Sequence, residues 1–165
     1  MRQAVRWGAC CRRGGRRDDR GAAALEFALI LPILAALIFG IIAFGYMLSF
    51  RQALSQAAAE GGRAAAVQVG GTSNGDRIAA ARAAINDAID AYGVECTSGN
   101  ALTHAGGASG QCTITIGACS SGPAGAQCAK VELHYPYRDN SLIPGLFVDP
   151  FLPEDLDYTT EVRVS

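Results

Sequence analysis

Two kinds of hydrophobic pattern divide this chain. From Phe27 to Phe50 about 24 consecutive residues carry no charged side chain. At about 1.5 Å rise per residue, a helix of this length crosses a hydrocarbon core of roughly 30 Å. Beyond this block, apolar residues recur at spacings of three and four, and then of two. The pattern therefore predicts a membrane-spanning helix followed by a small folded domain.

The helix is predicted to continue to Val69, because residues 52–69 consist largely of good helix formers. Turn residues at positions 70–75 then offer Ser73 or Asn74 as the cap of a second helix that starts near Asp76. The apolar positions of this second helix share one face, which we expect to be buried, and the helix should end at Gly93. These positions are Ile78, Ala81, Ile85, Ile89 and Tyr92.

Farther along, apolar and polar residues alternate, which is typical of half-buried antiparallel strands. The alternating apolar positions fall in three runs: Cys112, Ile114 and Ile116; Val131, Leu133 and Tyr135; Val162 and Val164. Residues 137–157 interrupt the pattern with three prolines among apolar residues, and so predict an irregular excursion. The expected fold class is α+β, with a long transmembrane helix, a second amphipathic helix and a small antiparallel sheet of about three strands.

Charge assigns an orientation to the predicted span. Residues 1–20 carry seven arginines and two aspartates, whereas residues 51–165 carry seven basic and twelve acidic side chains. By the positive-inside rule the N-terminus is cytoplasmic and the C-terminal domain is exported. The predicted organisation is a basic leader at 1–21, a transmembrane helix with an exported extension at 22–69, and a small exported domain at 76–165. The opposed charges give no reason to expect a nucleic-acid partner.

Two other interpretations of the apolar block fit its length less well. A cleaved secretory signal, with a site near residues 57–59, has an apolar core of about 7–15 residues, and this block is much longer. A buried helix of a soluble protein needs a surrounding core, which the rest of this chain is too short to supply. A membrane span is therefore favoured.

The cysteines follow the same division. Cys10 and Cys11 precede the span, where thiols stay reduced, and four more cysteines follow it, which allows two disulfides in three connectivities. A metal site is the alternative, but the spacings are long and no CxxC motif is present. Pairing Cys119 with Cys128 across a hairpin neck leaves Cys96 for Cys112. The implied register opposes apolar residues, Ile116 with Val131 and Ile114 with Leu133.

The start of the apolar block carries the most specific motif. The run GAAALEF at residues 21–27, directly after the basic leader, resembles the processing motif of type IVb prepilins. The wider stretch at 21–65 is similar to the TadE-like family of the tight-adherence pilus system. The resemblance implies cleavage between Gly21 and Ala22 by a prepilin peptidase. It also implies a functional acid at Glu26, followed by Phe27.

From this resemblance we expect a minor pilin-like (pseudopilin) component of the bacterial inner membrane, with a periplasmic domain. Its partners would be the prepilin peptidase, other pilin-like subunits and the pilus assembly platform. The amine created on Ala22 would lie one helical turn from Glu26, and a paired charge is less costly to bury. On position alone, the headgroup region near the positive end of the helix dipole is the better placement for Glu26.

The residues do not predict an enzyme. The two histidines, His104 in a glycine-rich loop and His134 facing outward on a strand, form no catalytic constellation with other residues in the sequence. Phosphate-binding, HExxH and GxSxG motifs are absent from the sequence, and no cofactor or metal is expected. The alternative function is a membrane-anchored periplasmic binding or adhesion module that keeps its leader and contacts a partner through the apolar residues 142–152.

Overall fold

The computed structural model describes residues 18–68, 73–142 and 152–164, with side chains from residue 21 onward. It separates into two compact units, residues 1–38 and 39–165. The helices are α1 (Asp18–Val67), α2 (Asn74–Ile89) and a short 3₁₀ turn at Asp90–Tyr92. The strands are β1 (Val94–Cys96), β2 (Ala101–His104), β3 (Gly107–Ala118), β4 (Gln127–Tyr135) and β5 (Leu156–Val164).

Within the first unit, α1 is apolar and its side chains are exposed around the helix. The large side chains from Leu25 to Ile38 are all exposed by about half or more, and Pro32 lies inside the helix. A buried core helix of a soluble protein would instead have these side chains covered. Over residues 21–67 the helix is long and apolar enough to cross a membrane. It is consistent with a single-pass membrane anchor, as the hydrophobic pattern predicted.

In the second unit, the packed face of α1 combines large side chains with a series of small residues. Phe50 and Leu54 are fully buried on this face, and the other buried positions include Ala53, Ala57, Ala58 and Ala65. A Cβ atom on Gly61 would lie 2.7 Å from Ile85 Cγ1 of α2, and one on Gly62 would lie 2.9 Å from Val162 Cγ2 of β5. The two glycines therefore allow α2 and the sheet to approach α1 closely, which explains their presence in a helix that glycine weakens.

Helix α2 agrees with its sequence pattern. Ser73 is the N-cap, and its hydroxyl accepts a hydrogen bond from the Asp76 backbone amide at 3.2 Å. The predicted face is buried at Ala81, Ile85 and Ile89, while Ile78 and Tyr92 are partly buried against the same core. Gly93 ends the 3₁₀ turn in the left-handed conformation, at φ 65°.

The sheet is an antiparallel meander in the order β1-β2-β3-β4-β5. Its alternating pattern buries one side of each long strand, with Val131, Leu133 and Tyr135 all at most 1% exposed. The predicted α+β class is confirmed, but the expected number of three strands was too low. The additional strands are the short β1 and β2, which form a hairpin before β3.

The predicted register between β3 and β4 was wrong by two residues. Ile114 lies opposite Val131 instead of Leu133, and Cys128 lies opposite Gly117 instead of Cys119. A shift by two residues keeps every side chain on its original face, because side chains alternate with period two. The apolar matching used to infer the register was therefore unable to distinguish the two alignments.

Aromatic side chains fill the core where α1 meets the end of the sheet. The Phe50 ring centroid lies 5.1 Å from that of Tyr92, 4.9 Å from that of Tyr135 and 6.0 Å from that of Tyr137. The Tyr135 hydroxyl donates a hydrogen bond to the Asn140 carbonyl oxygen at 2.9 Å. Burial raises the pKa of both Tyr135 and Tyr137 to about 12.

The predicted excursion after β4 is only partly described. Leu142 and Leu152 pack against the core. At these two positions the excursion therefore covers the sheet. Residues 143–151 lie outside the described residues. Arg138 joins the two ends of the excursion: its guanidinium donates to the Leu152 carbonyl oxygen at 2.8 Å and lies 2.5 Å from a Glu154 carboxylate oxygen.

Candidate processing site and disulfide-bonded domain

The motif residues lie in the first described turns of α1. Gly21, Ala22, Glu26 and Phe27 are all exposed, and a Cβ atom on Gly21 would meet nothing within 4 Å outside the helix's own backbone. Ala22 and Glu26 are four residues apart in a helix, so they share one face. The helix thus presents the expected cleavage bond and the acid in one accessible segment. Cys10 and Cys11 of the leader lie outside the described residues.

The four cysteines after α1 form the two disulfides that the sequence predicted. The Cα atoms of Cys96 and Cys112 are 5.7 Å apart, and both residues are at most 1% exposed. The Cα atoms of Cys119 and Cys128 are 4.9 Å apart. Cys119 follows the last residue of β3, so this second bridge closes the loop between β3 and β4. The two bridges therefore differ in place: one is in the core and one is at a hairpin neck.

Asn86 of α2 connects the core disulfide to the helix. Its side-chain oxygen accepts a hydrogen bond from the Cys96 backbone amide at 2.7 Å, and its amide group donates to the Cys96 carbonyl oxygen at 3.3 Å. This pair of bonds satisfies both backbone groups of a residue in the short strand β1. This role is not evident from the sequence, because Asn86 falls between the apolar positions of an amphipathic helix and resembles a solvated residue.

At the hairpin neck, Glu161 of β5 binds the residue after Cys119. Its carboxylate accepts a hydrogen bond from the Ser120 backbone amide at 2.6 Å and a second, short one from the Ser120 hydroxyl. These bonds, the hydroxyl's first, hold the pKa of Glu161 below its usual value of 4.5. A lowered pKa means that the ionised form stabilises this hairpin above pH 4.5. The contribution is lost as the pH falls through the folded-state pKa.

Replacing Ser120 with alanine removes the hydroxyl, which is the largest cause of the lowered pKa of Glu161, so we expect this pKa to rise toward its usual value. A carboxyl-carbon NMR titration of the full chain measures this directly. The exposed neighbour Ser121 provides the control, because Ser121→Ala should leave the titration unchanged. The assignment would be contradicted if both substitutions raised the pKa of Glu161 equally, or if neither substitution changed it.

The alternative of a metal site at the cysteines has a partial geometric basis. The Cys119 and Cys128 sulfurs and a Glu161 carboxylate oxygen lie within 4.8 Å of one another. Thiolates are the form of cysteine that binds metals, however, and here the two sulfurs are bonded to each other. The arrangement is that of a disulfide beside a carboxylate.

The two histidines lie on strands that β3 separates. His104 is half-buried at the end of β2, and not in a loop as the sequence predicted. Ala105 and Gly106 form the tight turn into β3, and Gly107 is the first residue of that strand, so the glycines extended the apparent loop. His134 faces outward on β4, with Nδ1 at 2.6 Å from an Asp157 oxygen and Nε2 at 3.9 Å from an Asp155 oxygen. These are exposed polar contacts of a kind common on protein surfaces.

Together these features define a protein class: an apolar helix, consistent with a single-pass membrane anchor, whose C-terminal part packs in a disulfide-bonded α+β domain. Comparison with known families then adds a more specific similarity. The family model described as TadE-like protein matches residues 21–63, which confirms the resemblance based on the GAAALEF run and the helix after it. The match supports an association with tight-adherence (Flp) pilus systems. No curated protein and no solved structure matches the chain.

Proposed function

We propose that this protein is a minor pilin-like component that supports assembly of tight-adherence pili. The observation that carries the proposal is the position of the family match, which starts at Gly21. This residue precedes the bond that a prepilin peptidase would cut. Pilin-like components need such a bond in an accessible segment, followed by an apolar helix that other helices can contact.

The anchor helix fits this role through its exposure. Phe27, Ile33 and Ile41 are each more than 60% exposed, so the helix has apolar surface for lipid before assembly and for neighbouring helices afterwards. Cleavage would place the Ala22 amine one turn from Glu26, and this positive charge would lower the cost of burying the carboxylate among apolar helices. The proposed orientation, from the arginine-rich leader, has the N-terminus in the cytoplasm and the disulfide domain in the periplasm.

We propose a non-enzymatic role for the exported domain. His134 is held by exposed carboxylates and His104 lies two strands away, and catalysis needs groups that converge on one reacting atom. The domain would then contribute shape and partner contacts, with the two disulfides maintaining them outside the cytoplasm.

Intact mass measurement tests the proposal. The full chain is extracted from membranes with and without co-expressed prepilin peptidase, and we expect loss of residues 1–21 only when the peptidase is present. Gly21→Ala should abolish the shortening. The matched control is Gly40→Ala, since both glycines are in α1 and a Cβ atom on either meets nothing within 4 Å.

An unshortened chain in the presence of an active peptidase would contradict the pilin-like role. The alternative, an anchored periplasmic binding or adhesion module that retains its leader, would then take its place. If the Gly21→Ala variant is shortened at the same bond, the role of Gly21 in cleavage is contradicted, but the assignment of the protein as pilin-like is not.

A further inference from the structure

The domain begins to cover α1 inside the apolar block, before its end. Met47 and Phe50 are each at most 5% exposed and belong to the core of the domain, whereas Phe44 and Leu48 on the other side of the helix are 38% and 50% exposed. The last turns of the uncharged block thus have domain on one side and open apolar surface on the other. Part of the domain must therefore lie at the membrane depth of these turns.

The depth can be counted along the helix from Glu26. With this carboxylate in the headgroup region, Phe27 is the first residue of α1 in the hydrocarbon. A core of roughly 30 Å takes about 20 residues at 1.5 Å per residue, which reaches Tyr46. Tilt or bending requires more residues and carries the boundary toward Phe50. The first charged residue after the block, Arg51, follows at once.

Tyr46 connects this boundary to the folded domain. Its ring centroid lies 5.6 Å from that of Tyr92, and the Tyr92 hydroxyl is 2.6 Å from the Ser49 Oγ atom. Tyrosine is enriched where bilayer meets water, because its ring is apolar and its hydroxyl is polar. We infer that Tyr46, Ser49 and Tyr92, which we name the tyrosine collar, lie in the outer headgroup layer and seat the domain directly on the bilayer. This inference rests on the membrane anchorage proposed above.

The surroundings of the collar limit its depth on both sides. Phe44 and Leu48 extend the lipid-facing apolar surface up to it, and beyond it the exposed positions of α1 become polar, starting at Arg51 and Gln52. On the domain side, the exposed Asp90 lies two residues before Tyr92. A carboxylate is costly in hydrocarbon, so the collar reaches the headgroups without entering the acyl chains.

Tryptophan quenching tests this placement. The single native tryptophan is removed as Trp7→Phe, and one new tryptophan is introduced as Tyr92→Trp. Ala91→Trp, at an exposed neighbouring position that needs no repacking, serves as a second probe. In phosphatidylcholine vesicles with a nitroxide on the headgroup, we expect both probes to lose about half of their emission, since the interface is where Tyr and Trp reside.

Two controls separate the placement from the anchorage. Phe39→Trp lies within the apolar block and should be quenched by nitroxide on the acyl chains. Val67→Trp, exposed at the end of α1, should be quenched by neither label. Quenching at residue 39 without quenching at 91 and 92 would overturn the seating of the domain and leave the anchor intact. Absence of quenching at residue 39 would overturn the anchorage itself, and the collar with it.

Discussion

Replacing Phe50 with alanine will lower the free energy of unfolding of the disulfide-bonded domain by about 3–5 kcal/mol, the cost typical of a buried aromatic residue. Phe50 is fully buried, and its ring contacts those of Tyr92, Tyr135 and Tyr137, which come from the 3₁₀ turn, β4 and the segment after it. The large expected effect follows from this position, because one side chain joins α1 to three separate parts of the domain. Urea unfolding of the full chain in detergent, followed by near-ultraviolet circular dichroism of the tyrosines, measures the loss.

Phe44→Ala is the matched control for this prediction. It removes the same side chain from the same helix, less than two turns earlier, at a position that is 38% exposed. In detergent we expect a change within about 1 kcal/mol, because little of the packed core is lost. Equal destabilisation by the two substitutions would show that Phe50 contributes through the helix alone and not through the aromatic contacts.

The helices could be predicted because their signals are local. A long uncharged block defines α1, and a cap at Ser73 with apolar residues at three- and four-residue steps defines α2. Each of these signals lies within a few residues of the structure that it specifies. The processing motif was recognisable for the same reason, since Gly21, Ala22, Glu26 and Phe27 are close in sequence.

The missed strands show where local signals fail. The turn between β2 and β3 has Ala105 and Gly106 at φ 50° and 81°, and two consecutive positive φ angles are typical of a tight hairpin turn. Asn-Gly or Asp-Gly would have indicated such a turn, whereas alanine is unusual there. The pairing also shifts between Leu102 and Thr103, so the strict alternation that marks a strand is interrupted.

The contacts that define the domain's interior depend on distant residues. Asn86 binds the backbone of Cys96 ten residues later, and Glu161 binds Ser120 across 41 residues. Tyr92 meets Tyr46 only once α1 and the 3₁₀ turn are packed together. A single sequence gives each of these residues an ordinary polar or amphipathic position, and only the folded chain brings the partners together.

Removing the core disulfide will destabilise the domain more than removing the disulfide at the hairpin neck. For Cys96→Ala with Cys112→Ala we expect a loss of about 4 kcal/mol, and for Cys119→Ala with Cys128→Ala about 2–3 kcal/mol. The loops that the bridges close, with separations of 16 and 9 residues, differ too little in chain entropy to account for the whole difference. The remainder comes from burial. Both core cysteines are at most 1% exposed, so replacing them with alanine removes two buried sulfur atoms and leaves a cavity in the core.

The same urea titration distinguishes these two contributions. If chain entropy alone controlled stability, the two double variants would differ by only about 0.5 kcal/mol, as the logarithmic dependence on loop length requires. A difference well above this value assigns the excess to packing around Cys96, where Asn86 also joins α2 to β1. A larger loss of stability for the neck variant would contradict the prediction, because it would show that the domain depends more on the loop between β3 and β4 than on its core disulfide. If the core variant loses more stability, as we expect, the core disulfide is the bridge that maintains the packing of α2 on the sheet.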